Sequence, residues 1–108
     1  MPHDPALADA MRRALRRRRN IVEKMMFGGY CWMLNGNMLC GVEVGRFMFR
    51  VGKEREPKAL AIAGAAPMDI TGKPMKGFVW VSADAATRKG LPFWIGLAAQ
   101  YVSTLPRK

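Results

Sequence analysis

The chain has 108 residues, half of them hydrophobic, and a formal net charge of +10. This length and composition predict one globular domain over residues 1–108 and argue against a disordered chain. No run of about 18 apolar residues predicts a membrane span, and no signal peptide is recognisable, so we expect a cytoplasmic protein with no membrane partner. The positive charge predicts attraction to nucleic acid or to an acidic protein surface.

The first predicted element is a helix that begins at Asp4-Pro5, because Asp can cap a helix and Pro suits its first position. Apolar residues at helical spacing form one stripe, and Asn20 is the predicted end of the helix. The stripe consists of Leu7, Met11, Ala14 and Leu15.

Arginines dominate the remaining surface of this helix. Among them, Arg12, Arg16 and Arg19 fall within roughly 60° of one another, a spacing that could follow phosphates. The candidates for nucleic-acid or anion contact are Arg12, Arg13, Arg16, Arg17 and Arg19. The alternative is a solvated cationic face, since no helix-turn-helix, zinc-finger or RNA-recognition strand pattern accompanies the arginines.

After this helix the hydrophobic period changes to two, which predicts strands. We expect strands over residues 22–27, 30–34, 37–44 and 46–51, with Asn35-Gly36 as a tight hairpin turn. In the fourth strand, Phe47 and Phe49 share one face with Val51. Arg46, Met48 and Arg50 share the other.

The second half of the chain predicts a short helix, a turn region, a strand and a final helix. The short helix begins at Glu56-Pro57 and runs to about Ala63, the turn region covers residues 65–77, and the last strand covers residues 78–82. The final helix follows Gly90. Hairpin-linked strands must be antiparallel, so the order α-β-β-β-β-α-β-α predicts an α+β fold. Its antiparallel sheet of about five strands would be covered by the N- and C-terminal helices.

The two cysteines permit a redox interpretation. If Asn35-Gly36 is a two-residue loop, Cys31 faces Cys40 at a non-hydrogen-bonded position, with Cα atoms about 4.5 Å apart. This geometry makes Cys31 and Cys40 a candidate redox pair. The alternative is two small hydrophobic residues in a reducing cytosol.

Nine methionines offer an adaptable surface. Four of them are the candidates for an interface, because Tyr30, Trp32, Leu34 and Leu39 occupy the alternate face of the hairpin. They are Met33, Met38, Met48 and Met75. Such a hairpin is apolar on both faces and must be covered twice, either by the core alone or also by a dimer or partner.

The sequence predicts no catalytic residue, no cofactor and no metal site. The single histidine, His3, lies beside the N-terminus, which leaves a Ser-His-Asp or Cys-His mechanism without its base. Two cysteines and one terminal histidine do not make a four-ligand zinc site. Thr71-Gly72-Lys73 lacks the upstream glycine spacing of a phosphate loop and is typical of a turn.

Several motifs together resemble one family. They are Lys24-Met-Met-Phe-Gly-Gly29, Asn35-Gly-Asn-Met38, Phe49-Arg-Val-Gly52 and the segment from Pro67-Met-Asp through Met75-Lys-Gly77. This combination resembles the N-terminal domain of the TfoX/Sxy family, over nearly the whole chain. The resemblance implies an α+β domain. For longer members it implies positive regulation of competence genes alongside a cAMP-receptor-type activator.

Those longer members carry a second, C-terminal domain, and we expect this chain to correspond to the N-terminal domain alone. The family supplies no catalytic or binding residues to transfer, and the arginine run at residues 16–19 is not part of its pattern. We therefore expect a non-enzymatic TfoX-like accessory protein, a regulator of transcription or competence that acts through protein or nucleic-acid contacts. The alternative is a protein-interaction or homodimerisation module with no nucleic-acid role. A thiol-redox or small-ligand-binding protein is the lesser alternative.

Overall fold

The computed structural model describes residues 4–26, 29–70 and 72–108. His3, Phe27, Gly28 and Thr71 therefore lie outside the described residues. The elements in chain order are α1 (Pro5–Leu15), β1 (Ile21–Met26), β2 (Gly29–Leu34), β3 (Asn37–Glu43), β4 (Arg46–Arg50), α2 (Glu56–Leu60), β5 (Ala65–Ile70), β6 (Lys73–Ser82), α3 (Ala83–Lys89) and α4 (Leu91–Val102).

The strands form one antiparallel sheet in the order β1-β2-β3-β4-β6-β5. This arrangement confirms the α+β class, with helices at both ends of the chain and six strands in the sheet. β1 and β5 are the edge strands. Pro67 lies in β5, where its missing N–H costs least because an edge strand has only one paired side.

The hairpin between β2 and β3 turns at Asn35 and Gly36, as predicted. Both residues have positive φ angles, 54° and 83°, which is the geometry of the turn that matches the twist of paired strands. A bulge follows, since Met33 pairs with Met38 while Trp32 pairs with Cys40. The extra residue shifts the predicted register by one and turns two successive β3 side chains toward the same core.

The predicted turn region at residues 65–77 is wrong. Residues 65–70 form β5 and residues 73–77 form the first half of β6, and the two strands pair with each other. Pro67 and Pro74 favour a turn in the sequence, yet both are compatible with pairing at the margin of a sheet. A second bulge beside Met68 allows that side chain to reach a buried position.

The two ends of α1 compare differently with the sequence. Asp4 caps its beginning as predicted, and its Oδ1 accepts from Ala6 N at 3.2 Å. The predicted end at Asn20 is wrong, because Arg16 is the C-cap and Asn20 has a φ of 64°. An additional helix, α3, begins at the Ser82 cap, whose Oγ accepts from Ala85 N at 3.3 Å.

All four helices pack on one face of the sheet and share its main core. The predicted apolar face of β4 is confirmed, since Phe47, Phe49 and Val51 are fully buried there. Trp94 of α4 stacks on Phe49, with ring centroids 5.5 Å apart. In the described part of the chain, no helix is both long and apolar enough to cross a bilayer.

The opposite face of the sheet carries a second apolar cluster whose members all lie in strands. We call it the strand-only cluster. Its buried members are Cys31, Met48 and Met68, and the half-buried ones are Met26, Met38, Met75, Phe78 and Trp80. The sheet is therefore apolar on both faces, but all four helices pack on the face that carries the main core.

Candidate functional site

Arg12 is held by structural partners. Its Nε donates to Glu23 Oε1 at 2.7 Å and its Nη2 to Oε2 at 2.9 Å, while Nη1 donates to Asp9 at 2.7 Å. The guanidinium carbon also lies 5.2 Å from the centre of the Tyr30 ring. Hydrogen bonding by Arg12 lowers the pKa of Glu23, aided by Trp32 Nε1, which donates to the same carboxylate at 3.2 Å. Arg12 thus joins α1 to β1.

The predicted ridge of Arg12, Arg16 and Arg19 is wrong. It required one helix through residue 19, but α1 ends at Leu15 and a turn follows. Arg13 remains on the last turn of α1, exposed, where a cation complements the helix dipole.

The four consecutive arginines at residues 16–19 lie beyond the helix, and we call them the basic segment. All four are exposed. None of them has a carboxylate within 4.0 Å among the described residues, whereas Arg12 and Arg46 both do. The basic segment is therefore a dense group of guanidinium groups available to an external anion.

The C-terminal residues lie beside the hairpin turn that also contacts Asn20, the residue after the basic segment. Asn35 N donates to Asn20 O at 3.1 Å, and Asn35 O accepts from Lys108 N at 2.9 Å. The buried Asn37 side chain donates to Pro106 O at 2.9 Å. We call the combined surface the basic end, and its cations are Arg16, Arg17, Arg18, Arg19, Arg107 and Lys108. No short-range sequence signal indicates this meeting, because it depends on tertiary contacts.

The predicted methionine surface falls largely in the strand-only cluster. Met48 is buried, and Met38 and Met75 pack against it from half-buried positions. Met33 is half-buried and is not among the described members of the cluster. Met68 is not among the predicted interface residues, because the sequence predicts a turn where β5 carries it.

A cavity of about 240 Å³ opens within this cluster. Gly41 lies in its wall, where a Cβ would be 3.2 Å from Cys31 Sγ and 3.3 Å from Met48 Cε. The missing side chain of Gly41 therefore helps to create the space.

Charged side chains surround the cavity mouth. Arg46 stacks over the Trp80 ring, with its guanidinium carbon 3.6 Å from the ring centre. Its Nη2 also lies 2.8 Å from Glu43 Oε1, and Asp69 completes the lining. The strand-only cluster thus combines an apolar interior with a polar border, a composition found at protein interfaces.

The predicted pairing of Cys31 with Cys40 is wrong. The bulge places Cys31 opposite Gly41 and Cys40 opposite Trp32. Cys31 belongs to the strand-only cluster and Cys40 to the main core, so the thiols lie on opposite faces of the sheet. Both are free, and burial raises the pKa of each thiol, which disfavours the reactive thiolate.

Three glutamate side chains have structural roles. Glu23 binds Arg12, Glu43 binds Arg46, and Glu56 Oε1 accepts from Gly77 N at 2.8 Å. Within the described parts of the chain, no three His, Cys, Asp or Glu side chains form a group that could hold a metal ion.

Comparison with known protein families gives a match over most of the chain. The family model described as the TfoX N-terminal domain matches residues 13–101. The match includes the basic segment and the whole sheet, while Arg107 and Lys108 lie beyond it. Neither the curated proteins nor the solved structures gave a match.

Proposed function

This chain belongs to the TfoX N-terminal domain family, and from that premise we propose that it is an accessory protein of transcription that acts by binding macromolecules. The basic segment carries the proposal. It presents four exposed arginines in succession on a protein of net charge +10. Such a surface attracts the phosphate backbone of nucleic acid.

The chemistry of the basic segment defines the expected mode of contact. Arginine donates paired, charge-assisted hydrogen bonds to phosphate oxygens. The four side chains follow a short turn and do not project from one long helix. They therefore do not form a helix face that could enter a major groove. The expected contact is with the backbone, with little sequence preference.

A non-enzymatic role agrees with how the acids and thiols are used. Glu23 and Glu43 bind arginines, and Glu56 accepts a backbone hydrogen bond. The raised pKa values of Cys31 and Cys40 disfavour nucleophilic thiolates. Glu43 and Cys31 both line the cavity of the strand-only cluster, but Glu43 is bound to Arg46 and burial disfavours the Cys31 thiolate.

Fluorescence anisotropy of labelled duplex DNA tests the proposal. We expect binding at about 50 mM salt that weakens about 100-fold by about 200 mM, as for a protein that neutralises about four phosphates. Replacing Arg17 and Arg19 by Gln is expected to weaken binding about tenfold at the lower salt concentration.

The matched control replaces Arg88 and Lys89 by Gln. It removes the same charge at the end of α3, which the whole of α4 separates from the C-terminal residues along the chain. The control lowers the net charge by two but leaves the basic segment intact. The proposal therefore requires its affinity for DNA to lie within about twofold of the affinity of the unmodified protein. Undetectable binding at low salt, or equal losses in both variants, would show that the basic segment is not a nucleic-acid site.

A second candidate function is dimerisation through the strand-only cluster. Its favouring observation is an apolar cluster built entirely from strands, with a cavity at its centre. Methionine-rich surfaces adapt readily to a partner, and self-association would cover this face.

Sedimentation equilibrium distinguishes this second candidate. A dimer at micromolar concentration should dissociate when Met38, in the cluster, is replaced by Glu. The control is Met25→Glu, because Met25 is 62% exposed and lies outside the cluster. A monomer at all concentrations up to about 200 μM, or equal effects of the two substitutions, would exclude dimerisation by this face.

A further inference from the structure

The basic end joins two segments that are far apart in the sequence. Asn35 bonds to both through its own peptide groups, since its N–H donates to Asn20 O and its carbonyl accepts from Lys108 N. A third hydrogen bond, donated by the Asn37 side chain to Pro106 O, holds the C-terminal segment against the hairpin. The two residues are 69 positions apart in the sequence. The hairpin turn therefore positions both groups of cations relative to each other.

Gly36 permits this close approach. A Cβ at Gly36 would lie 2.8 Å from both Lys108 O and Lys108 Cβ, and the φ of 83° also favours glycine. Any larger residue at Gly36 would push the C-terminal segment away from the turn. The contact between turn and tail is thus a close-packed part of the fold.

The six cations of the basic end share a small area. Consecutive Cα atoms are about 3.8 Å apart, so residues 16–19 lie within about 15 Å of Asn20, and Arg107 lies next to Lys108. A duplex carries one negative charge per about 1.7 Å of its axis, so cations spread over about 15 Å can contact several phosphates at once.

Few negative charges oppose these cations. In the part of the chain that the structure describes, none of the six has a carboxylate within 4.0 Å. Glu23, the nearest acid along the chain after the basic segment, is bound to Arg12. The centre of the patch is Asn35 and Gly36, both uncharged.

We propose that the basic end is a single binding site for a nucleic-acid backbone, which lies across the Asn35–Gly36 turn and contacts both chain segments. Arg107 and Lys108 supply two of the six cations of this site, although they lie outside the segment that matches the family. The proposal rests on the proposed function, and it adds the location and extent of the contact. The side chains are guanidinium and ammonium groups suited to phosphate oxygens, so the site recognises backbone and not base sequence.

The test is the salt dependence of DNA binding. Replacing Arg107 and Lys108 by Gln should reduce the slope of log K against log salt by about 2, close to the reduction caused by Arg17→Gln with Arg19→Gln. The pair Arg88→Gln and Lys89→Gln should leave the slope unchanged.

A second variant tests position separately from charge. Asn37→Ala keeps all six cations but removes the side-chain bond to Pro106. If it remains folded by circular dichroism, we expect about a threefold to tenfold loss of affinity, because the C-terminal cations are no longer held in place. Should it unfold, Gly36→Ala provides the same displacement through its contact with Lys108.

The outcomes separate the two proposals. If the Arg107 and Lys108 variant binds like the unmodified protein while the Arg17 and Arg19 variant does not, the composite site is wrong and the proposed function remains. If no variant changes binding, both are wrong. Equal binding to vesicles of anionic phospholipid, with no preference for DNA at the same salt concentration, would also overturn a nucleic-acid site.

Discussion

The role of Arg12 in the structure differs from the role that its spacing in the sequence predicts. Its spacing from Arg16 and Arg19 favours a surface contact, yet its guanidinium binds Glu23 at two atoms and Asp9 at a third. Arg12 and Glu23 are 40% and 34% exposed, so solvent screens the pair and limits what it contributes to stability. Its main effect is to fix α1 against the edge strand β1.

The substitution Glu23→Gln should lower the free energy of unfolding by about 0.5–1 kcal/mol at pH 7. The folded-state pKa of Glu23 is lowered, so its stabilising effect is present above the ordinary carboxyl pKa and disappears as pH falls through the folded pKa. Urea unfolding at several pH values measures this. The difference between the two proteins should shrink below about pH 4. A difference that grew on acidification would contradict the assigned role of Arg12.

Gly52 and Gly45 form a natural comparison, since both have positive φ angles, 87° and 76°. A Cβ at Gly52 would lie 2.6 Å from Tyr101 Cδ1, whereas nothing lies within 4 Å of a Cβ at Gly45. We therefore expect Gly45→Ala to cost about 1 kcal/mol from the backbone alone. Gly52→Ala should cost about 2–4 kcal/mol because overpacking is added. Equal unfolding midpoints in urea would show that Tyr101 moves aside freely.

At the scale of elements, the local signals are sufficient for β2, β3 and β4. Alternating residues and the Asn35–Gly36 turn predict these strands to within a residue or two. The sequence predicts only the second half of β6, because Pro67 and Pro74 favour a turn over β5 and the first half of β6. The basic end could not be predicted, since the meeting of Asn20 with Lys108 depends on the packing of the whole chain.

The link between α2 and the start of the buried part of β6 is a further element-scale feature. Glu56 Oε1 accepts from Gly77 N at 2.8 Å, and Gly77 O accepts from Val51 N and Gly52 N. Replacing Glu56 by Gln weakens a charge-assisted bond, and Glu56→Ala leaves a backbone N–H without its partner.

We expect Glu56→Ala to lower the free energy of unfolding by about 1–3 kcal/mol and Glu56→Gln by less. The control is Glu54→Ala, because Glu54 is exposed and carries the same charge. Chemical denaturation of the three variants measures the differences. If Glu54→Ala is as harmful as Glu56→Ala, the loss is general electrostatics and the bond to Gly77 is unimportant.

At the scale of the whole molecule, the charge of +10 is its most unusual quantity. Three ion pairs are formed among the described residues, and they use only Arg12 and Arg46 among the cations. Most of the other positive charges therefore repel one another across a small domain, with a Cα radius of gyration of 12.5 Å. Such repulsion destabilises the compact state.

Added salt should consequently stabilise the protein. Raising sodium chloride from about 20 mM to about 300 mM shortens the Debye length severalfold and should raise the thermal midpoint by about 4–8 °C, equivalent to roughly 1 kcal/mol. Differential scanning calorimetry measures this change. A midpoint that falls with salt would mean that the Arg12 and Arg46 ion pairs outweigh the repulsion.

The hydrogen bond between Asn35 and Lys108 makes the binding of a polyanion at the basic end depend on whether the C-terminal segment is attached to the rest of the fold. Contacts between distant parts of a chain carry the largest loop-closure cost and depend on the rest of the fold being in place. A chain with its C-terminal segment detached would present the basic segment alone, so a polyanion would bind it less tightly than the intact protein. By linkage, the same ligand would hold the C-terminal segment against the turn, and amide hydrogen exchange at Asn35 and Lys108 would slow as the ligand concentration rose.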